Sequence, residues 1–403
     1  MLVERAIAPV LKELFSSYPV VTLTGPRQSG KTTLCRTLFP ELPYFNLERP
    51  DLREATAVDP RGFLARAGDG AIIDEVQRVP ELFSWLQAHV DERRRNGMFV
   101  LTGSEQFLVS EGISQSLAGR TAILHLIPFS IEEASAIHPG MDTNEMLFTG
   151  FYPRIYDQSL HPTQALGDYF ETYVERDVRM LGGVRDLSTF QRFVRLCAGR
   201  VGQLLNLQSL GNDAGVSHTT AREWISVLEA SYVAFLLPPL HANVSKRLIK
   251  TPKLYFHDVG LAAYLLGIEN AAQIETHPLR GALFENMVIA EVLKYRYNSG
   301  RRSNLNFYRD SSGLEIDLVY PLANRYLAIE IKAGQTVTTS QIVALEKFHR
   351  LFPHQNETSI LVYGGEEEVA RGTTQAIPVR ALAVRLGQLE NENRRSPDVA
   401  GSP

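Results

Sequence analysis

The residues best suited to chemistry form a glycine-rich run with one lysine and two threonines. Gly25-Pro26-Arg27-Gln28-Ser29-Gly30-Lys31-Thr32-Thr33 fits the pattern G-x-x-x-x-G-K-[ST]. The apolar residues 20–24 before it predict a buried strand, and the residues from Thr33 onward predict a helix. The N–H groups of such a loop surround phosphates at the positive end of the helix, where Lys31 reaches the β- and γ-phosphates and Thr32 ligates Mg²⁺. The sequence therefore predicts a nucleoside triphosphate site.

An acidic pair supplies the second half of this chemistry. The apolar run 70–73 ends in Asp74 and Glu75. A carboxylate at the end of a strand can hold Mg²⁺, which suits Asp74. Glu75 follows it in a position to deprotonate the attacking water, which hydrolysis needs and binding alone does not. The alternative is that Asp74 and Glu75 only cap the end of the strand and have no role in chemistry.

Four further residues are candidates for contact with the γ-phosphate. The run 99–104 predicts a third strand, and Thr102 or Ser104 at its end can sense the phosphate, or else only close the strand. Arg120 and Arg154 follow, and an arginine in cis or from a neighbouring subunit can supplement such a site. A structural salt bridge is the alternative for each arginine.

Composition sets the class of protein. At 403 residues the chain is expected to hold two to four domains, with 44% hydrophobic and 21% charged residues. The net charge of -4 predicts that any nucleic-acid binding comes from local patches. Cys35 and Cys197 lack metal-type spacing, and we expect neither a secretory signal nor a membrane span. A cytoplasmic location is the expectation.

Together the motifs resemble a known family. Gly25–Thr33, Ile72–Gln77, Leu101–Ser104 and Gly150–Pro153 look like those of predicted AAA-14 type ATPases of the AAA+ superfamily, which precede a DUF4143 region. The resemblance runs from the N-terminus to about residue 385. It implies Mg-ATP as ligand and a five-stranded parallel sheet with the sensor strand between the two Walker strands. The family often has an acidic residue after the glycine-aromatic-proline turn, whereas this chain has Arg154.

The middle of the chain follows the order of a winged helix-turn-helix, in agreement with the family resemblance. After a helical stretch at 164–186, a short helix at 207–210, a turn at 213–217 and a helix at 218–230 precede strands at 232–237 and 253–256. A DNA-binding role would place Thr219, Thr220 and Arg222 in a groove and Lys246, Arg247 and Lys250 on phosphates. Because acidic residues share the second helix, a packing or oligomerisation module is the alternative.

A second possible active site lies in the last third. Residues 281–288 predict a helix that carries Glu285, and 313–319 and 326–332 predict a hairpin with a turn at 321–325. A turn centred near 323–324 sets Asp317 opposite Glu330, with Cβ atoms about 5 Å apart. Two such carboxylates repel unless a cation lies between them. Glu285 can complete an oxygen-ligand set for a second Mg²⁺ or Mn²⁺, and Lys332 can orient the attacking water.

This order of Glu, Asp and Glu-x-Lys looks like the PD-(D/E)xK nuclease superfamily, to which DUF4143 regions are similar. All four positions, Glu285, Asp317, Glu330 and Lys332, match it. A fold retained only for packing or DNA docking, or coincidence on a charged hairpin, are the alternatives.

The predicted fold class is an α/β P-loop NTPase (AAA+-like) parallel sheet domain at 1–150, followed by a helical lid or linker at 151–189. A winged helix-turn-helix at 190–275, an α+β PD-(D/E)xK nuclease-like domain at 276–385 and a disordered tail at 386–403 complete it. The predicted function is a Mg²⁺-dependent ATPase coupled to DNA binding or processing, with ATP, DNA and a second copy of the chain as partners and no membrane. The alternative is an ATP-dependent conformational or assembly switch whose C-terminal region docks a protein partner without nuclease activity.

Overall fold

The computed structural model describes residues 3–104, 113–174, 186–240, 250–353 and 358–395. Its first layer is a five-stranded sheet in the order β2-β3-β4-β1-β5, in which neighbouring strands run parallel. The strands are β1 (Val20–Thr24), β2 (Tyr44–Asn46), β3 (Ala71–Asp74), β4 (Phe99–Gly103) and β5 (Thr121–His125). The sheet order implied by the family resemblance is confirmed, because the sensor strand β4 lies between β1 and β3.

Helices cover both faces of this sheet. They are α1 (Ala8–Ser17), α2 (Lys31–Leu38), α3 (Pro50–Val58), α4 (Pro60–Ala67) and α5 (Leu82–Arg93). One core holds Leu11 of α1 and Leu34 of α2, and a second core holds Phe63 of α4 and Leu86 of α5. Strands buried on both faces read as continuous apolar runs, which is why β1, β3 and β4 were predictable.

A set of short helices leads away from the sheet. They are α6 (Ile131–Ser135), α7 (Thr143–Thr149), α8 (Pro153–Asp157) and α9 (Pro162–Tyr169), with a π-helical turn at Phe170–Val174. Residues 175–185 of the predicted helix 164–186 lie outside the described residues. Gly150 ends α7, and a Cβ there would lie 2.8 Å from the Gly260 Cα. The glycine of the glycine-aromatic-proline motif therefore permits close backbone packing.

The middle segment contains three helices followed by two strands. They are α10 (Leu187–Ala198), α11 (Leu207–Ala214), α12 (His218–Ala230), β6 (Ala234–Leu237) and β7 (Lys253–Phe256), and the two strands are antiparallel. Helix α11 extends into the predicted turn at 213–217 and ends at Gly215, whose φ of 78° is left-handed. Helices α13 (Val259–Leu265) and α14 (Ala271–Thr276) then lead to the last third.

The C-terminal part packs a long helix, α15 (Arg280–Asn298), against a six-stranded mixed sheet in the order β12-β13-β11-β10-β9-β8. The strands are β8 (Asn306–Arg309), β9 (Glu315–Leu322), β10 (Arg325–Lys332), β11 (Ser359–Tyr363), β12 (Val369–Arg371) and β13 (Thr374–Pro378). Helix α16 (Thr339–Leu351) covers the opposite face from α15.

The hairpin of β9 and β10 has the register expected from the sequence. Pairs run from Arg325–Leu322 to Ile329–Leu318, and one further step of that register sets Asp317 opposite Glu330. The turn is shorter than the predicted 321–325, because Pro321 and Arg325 both belong to strands. Two residues suffice for the loop, where Ala323 takes a φ of 50°.

The prediction of a disordered tail from 386 is wrong for residues 386–395. They belong to helix α17 (Leu382–Arg395). Leu386 and Leu389 are buried against the core, and the Glu390 carboxylate accepts hydrogen bonds from Tyr295 and Arg301. These contacts hold the helix against the core, although its polar composition suggested disorder. Residues 396–403 lie outside the described residues.

One continuous hydrophobic core joins the middle segment to the C-terminal part. It runs from Ile127 to Leu389 and includes side chains from α6 to α17. The packing therefore shows no break at the predicted boundary between 275 and 276. Among the described residues, no helix combines the length and apolar character needed to cross a membrane.

Candidate functional site

The phosphate loop connects β1 to α2 and depends on two glycines. Gly25 has a φ of 153°, and a Cβ there would lie 2.0 Å from the Leu126 carbonyl oxygen. Gly30 caps α2 with a φ of 92°, in the left-handed region that favours glycine. A side chain at either position would strain the backbone, so the loop requires glycine at both.

Two polar side chains of the loop suit an anion. Lys31 is buried and donates to the Gly25 and Pro26 carbonyls, both at 2.8 Å, while burial lowers the pKa of its ammonium. The Ser29 hydroxyl oxygen is fully buried and has no hydrogen-bond partner among the described residues. A buried unpaired hydroxyl beside the N-terminus of a helix fits a phosphate oxygen.

Asp74 collects three hydroxyls at the end of β3. Thr32 and Tyr44 each donate to its Oδ2 at 2.7 Å, and Thr102 donates to its Oδ1. Thr32 and Asp74, the residues predicted to hold Mg²⁺, are therefore in direct contact. A hydroxyl and a carboxylate are oxygen donors of the kind Mg²⁺ requires, so these residues fit the ion.

Glu75 is held separately from Asp74. It has a φ of 56°, is 8% exposed, and accepts from Gln77 Nε2 at 2.6 Å and from Ser104 Oγ at 3.0 Å, both on its Oε2. Thr102 and Ser104 thus contact the two acidic side chains, one each. Tyr44 and Gln77 were given no role from the sequence. The folded sheet brings Tyr44 to Asp74 across 30 residues, whereas Gln77 lies two residues after Glu75 and contacts it through the turn that follows β3.

A cavity of about 1240 Å³ extends from the loop and is large enough for a nucleotide. Its polar lining includes Lys31, Thr32, Glu75 and Arg154. Side chains of residues 3–12, α2 and α8 complete the wall. The lining combines charged and polar groups suited to phosphates with apolar side chains, among them Leu34 and Phe129, against which a base can pack.

The two candidate arginines differ in position. Arg154 lines the cavity, and its Nε donates to Gln158 at 3.2 Å. Arg120 does not line it, because its guanidinium is paired with both carboxylate oxygens of Asp91 at 2.6 and 2.8 Å. The expectation that Arg120 reaches the γ-phosphate in its own chain is therefore not supported.

Arg5 is a buried contact of the loop that no sequence motif identifies. Its guanidinium donates to the Ser29 carbonyl at 2.7 Å, the Ile127 carbonyl at 2.9 Å and the Glu133 carboxylate at 3.0 Å. Only 6% of Arg5 is exposed. Its partners lie 24 to 128 residues away, so no local pattern could have identified it.

The second predicted site is a group of acidic side chains at the hairpin, which we call the C-terminal carboxylate cluster: Glu285, Glu315, Asp317 and Glu330. Lys332 Nζ lies 2.6 Å from Glu330 Oε1 and 3.3 Å from Asp317 Oδ2. Asp317 Oδ2 also accepts from the Ile331 N–H at 2.9 Å. Burial, followed by the charge of Asp317, raises the pKa of Glu330 to about 8.

Strand β7 supplies partners for this cluster that the sequence did not suggest. Lys253 Nζ lies 3.3 Å from Glu285 Oε1 and 2.6 Å from Glu315 Oε1, and the Tyr255 hydroxyl donates to Glu285. Burial and then the charge of Asp317 raise the pKa of Glu285. In the described part of the chain, no three Asp, Glu, His or Cys side chains are placed to hold a metal ion. The predicted ligands have suitable chemistry, but their arrangement does not fit a metal.

The residues predicted to contact DNA are only partly described. Thr219, Arg222 and Lys250 are exposed, whereas Thr220 is half-buried and its hydroxyl contacts Ser217 at 2.9 Å. Lys246 and Arg247 lie outside the described residues. Ser217 caps α12 by accepting from the Thr220 N–H at 3.0 Å.

Comparison with protein families identifies three matched regions. Residues 17–135 match an AAA domain of the AAA-14 type, residues 141–272 match a domain of unknown function named DUF8612, and residues 280–382 match the domain of unknown function DUF4143. The DUF8612 match spans the predicted lid and winged helix together.

Two solved structures match parts of the chain at low identity. A Walker-type ATPase of Pyrococcus abyssi is 14% identical over 64% of this chain and 94% of its own, with a TM-score of 0.43. The RuvB Holliday junction branch migration motor of Thermotoga maritima is 19% identical over 58% of this chain and 89% of its own, with a TM-score of 0.31.

Two relatives in sequence match different shares of the chain. An uncharacterised protein of Haemophilus influenzae is 24% identical over 56% of this chain and 58% of its own length. An uncharacterised protein of Mycobacterium tuberculosis is 32% identical over 346 residues, which are 85% of this chain and 76% of the relative. The chain therefore belongs to the same family as this mycobacterial protein, and it carries an AAA domain of the AAA-14 type followed by a C-terminal DUF4143 domain.

Proposed function

We propose that the protein is a Mg²⁺-dependent ATP hydrolase whose turnover drives DNA binding or processing. The observation that carries the hydrolase assignment is the contact of Thr32 with Asp74 beside a cavity that Glu75 also lines. Nucleotide binding needs only the loop. A second carboxylate at the same cavity supplies a base, which only hydrolysis requires.

The roles of the residues follow from their positions. Mg²⁺, when bound, neutralises negative charge on the phosphates. Lys31 and the loop N–H groups bind the phosphates, and Thr32 and Asp74 would hold the ion. Glu75 accepts the proton of the attacking water, and its contacts with Gln77 and Ser104 fix the carboxylate for that task. Arg154, at the cavity wall, is the in-chain candidate for stabilising charge on the γ-phosphate.

The hydrolase assignment is tested by separating binding from turnover. Glu75→Gln keeps the shape of the side chain and removes its basicity, so we expect ATP binding to persist and hydrolysis to be abolished. Lys31→Ala should lose binding itself. Binding is measured with a fluorescent ATP analogue and turnover by phosphate release. Hydrolysis at the native rate by Glu75→Gln would refute the role of Glu75.

The DNA part of the proposal rests on the middle segment. Support comes from the order of α10, α11 and α12 followed by an antiparallel strand pair, and from the exposure of Thr219 and Arg222 at the start of α12. We expect single-stranded, duplex or branched DNA to bind with an affinity that depends on ATP. Arg222→Ala should weaken binding, and Lys250→Ala should also lower the salt dependence by about one phosphate contact. Equal binding by native protein and both variants would contradict this assignment.

A metal-dependent nuclease is a second candidate function for the DUF4143 domain, and it requires the carboxylates to rearrange, because their described arrangement does not fit a metal ion. It is favoured by the contact of Lys332 with both Asp317 and Glu330, the order of charges that the nuclease resemblance predicts. Asp317→Ala should abolish cleavage of DNA in the presence of Mg²⁺ or Mn²⁺. Cleavage that persists in Asp317→Ala would exclude this site. Absence of cleavage by the native protein favours the alternative, an ATP-dependent switch in which the C-terminal part docks a protein partner.

A further inference from the structure

Tyr44 brings a hydroxyl to the acidic end of β3 from the neighbouring edge strand. It belongs to β2, and its hydroxyl donates to Asp74 Oδ2 at 2.7 Å. The other two donors to this carboxylate are Thr32, at the start of α2, and Thr102 of β4. Three different elements therefore hold one side chain, which is only 5% exposed.

The backbone on both sides of Tyr44 is bonded to β3. The Ile72 N–H donates to the Pro43 carbonyl at 2.9 Å, and the Leu47 N–H donates to the Asp74 carbonyl at 3.0 Å. Between these two bonds, Tyr44 pairs with Ile72 in the parallel register. The sheet itself therefore sets the position of Tyr44 relative to Asp74.

Two contacts hold the Tyr44 ring. The ring is half-buried and packs against the apolar core that includes Leu11 and Leu34. The guanidinium carbon of Arg36, in α2, lies 5.0 Å from the ring centre, a distance at which a cation is attracted to an aromatic face. A phenylalanine could make both contacts. The hydroxyl therefore adds something different, which is the bond to Asp74.

The two donors to Asp74 Oδ2 differ in their other tasks. In the proposed site the Thr32 hydroxyl oxygen also binds Mg²⁺, whereas Tyr44 does not line the nucleotide cavity. Mg²⁺ demands near-ideal octahedral geometry, and it takes one or two protein carboxylates while waters and substrate phosphates complete its shell. A set of three protein carboxylates is therefore not required, but the carboxylate that is used must be held in a fixed orientation.

We propose that Tyr44 is a positioning residue for the Mg²⁺ of the nucleotide site, because its hydroxyl holds Asp74 in the orientation that receives the ion. This rests on the proposed Mg²⁺-dependent ATP hydrolase. Hydrogen-bond partners that orient a metal-binding side chain typically raise metal affinity by about 10- to 100-fold. Loss of the hydroxyl should therefore weaken the effect of Mg²⁺ and leave the binding of metal-free nucleotide unchanged.

The test is the Mg²⁺ dependence of nucleotide binding by the full-length protein. A fluorescent, non-hydrolysable ATP analogue is bound first in EDTA and then at increasing Mg²⁺ concentration. Tyr44→Phe should match the native protein in EDTA, and its Mg²⁺ midpoint should rise about tenfold. Free Mn²⁺, measured by electron paramagnetic resonance in the presence of the analogue, should show the same loss of metal affinity.

Three further variants calibrate the measurement. Asp74→Asn should lose the response to Mg²⁺. Arg36→Gln removes the cation above the ring but keeps the Tyr44 hydroxyl, so its Mg²⁺ midpoint should rise by only about twofold. Tyr363→Phe is the matched control and should change neither measurement, because the Tyr363 hydroxyl donates to the Glu367 carbonyl at 2.6 Å in the C-terminal part.

The outcomes separate this proposal from the hydrolase. A Mg²⁺ midpoint for Tyr44→Phe equal to or below that of the native protein would refute the positioning role and leave the hydrolase standing. Analogue binding weakened by the same factor in EDTA and in Mg²⁺ would also refute it, because Tyr44 would then only support the fold of the loop. If Mg²⁺ has no effect on binding by the native protein, both proposals fail. Far-ultraviolet circular dichroism reports folding, and Arg36→Gln decides the question if Tyr44→Phe does not fold.

Discussion

At the scale of single residues, two hydroxyls at the end of β4 each donate a hydrogen bond to one member of the acidic pair Asp74 and Glu75. Thr102 donates to Asp74 and Ser104 donates to Glu75. A hydrogen bond to a charged group contributes about 1.5–3 kcal/mol, and it also fixes the direction of the carboxylate lone pairs. The contact between Ser104 and Glu75 therefore bears on the basicity and orientation of the carboxylate that we propose activates water.

Ser104→Ala should lower kcat for ATP hydrolysis about tenfold and leave ATP affinity unchanged, because one hydrogen bond to the base is lost. Steady-state kinetics and binding of a fluorescent ATP analogue check this. Ser84→Ala is the matched control, since Ser84 is exposed and its hydroxyl contacts the Ser116 hydroxyl at 3.2 Å. A rise in KM with unchanged kcat would show that Ser104 acts on the substrate instead.

The sequence predicted those site residues that follow one another along the chain. Lys31 and Thr32 lie in a continuous motif, and Asp74 and Glu75 end an apolar strand. It did not predict Arg5 or Lys253, whose partners are distant: Arg5 contacts Glu133 128 residues away, and Lys253 contacts Glu285 32 residues away. Such pairs depend on tertiary packing, which no local pattern encodes.

At the scale of elements, α15 carries a buried ionisable pair toward the nucleotide domain. Glu291 Oε1 accepts from the Ile131 N–H at 3.0 Å, and its Oε2 lies 3.8 Å from Lys294 Nζ. Lys294 Nζ is 3.9 Å from the centre of the Phe151 ring. Burial raises the pKa of Glu291 to about 7, against the opposing charge of Lys294.

The free energy of unfolding should therefore fall as the pH rises from about 4.5 to about 7. A glutamate whose pKa is raised on folding binds its proton more tightly in the folded state, so its contribution is complete below about pH 4.5 and is lost as pH rises to about 7. Relative to Glu291→Gln, the native protein should lose on the order of 2 kcal/mol of unfolding free energy between about pH 5 and pH 8. Urea unfolding at several pH values measures this. Parallel pH profiles of the two proteins would contradict the prediction.

At the scale of the whole molecule, buried contacts join the phosphate loop to the DUF4143 domain. Arg5 donates to Ser29 in the loop and to Glu133 in α6, and the N–H of Ile131, in the same helix, donates to Glu291 of α15. A nucleotide that changes the loop therefore acts on an element that also contacts α15. This gives ATP binding a physical route to the C-terminal part.

Arg5→Gln should uncouple helix α15 from nucleotide binding at the phosphate loop. In the native protein we expect a non-hydrolysable ATP analogue to change amide hydrogen exchange in residues 286–294. In Arg5→Gln that change should disappear even at saturating analogue, and analogue affinity should fall about tenfold, because the loop carbonyl loses a charged donor. Arg301→Gln, which breaks the pair with Glu390 in α17, is the control and should keep the response. An unchanged response in Arg5→Gln would exclude this route.

The continuous core from Ile127 to Leu389 has a consequence for how the chain folds during synthesis. The five strands of the nucleotide sheet end at His125, so this layer can fold while the rest is still on the ribosome. The remaining apolar side chains have no complete core until α17, near the C-terminus, has emerged. The apolar side chains of the middle segment, which is complete at Phe256, then lack their full core while the roughly 130 residues up to Leu389 are translated. Over that interval we expect the nascent chain to bind chaperones that recognise hydrophobic surface.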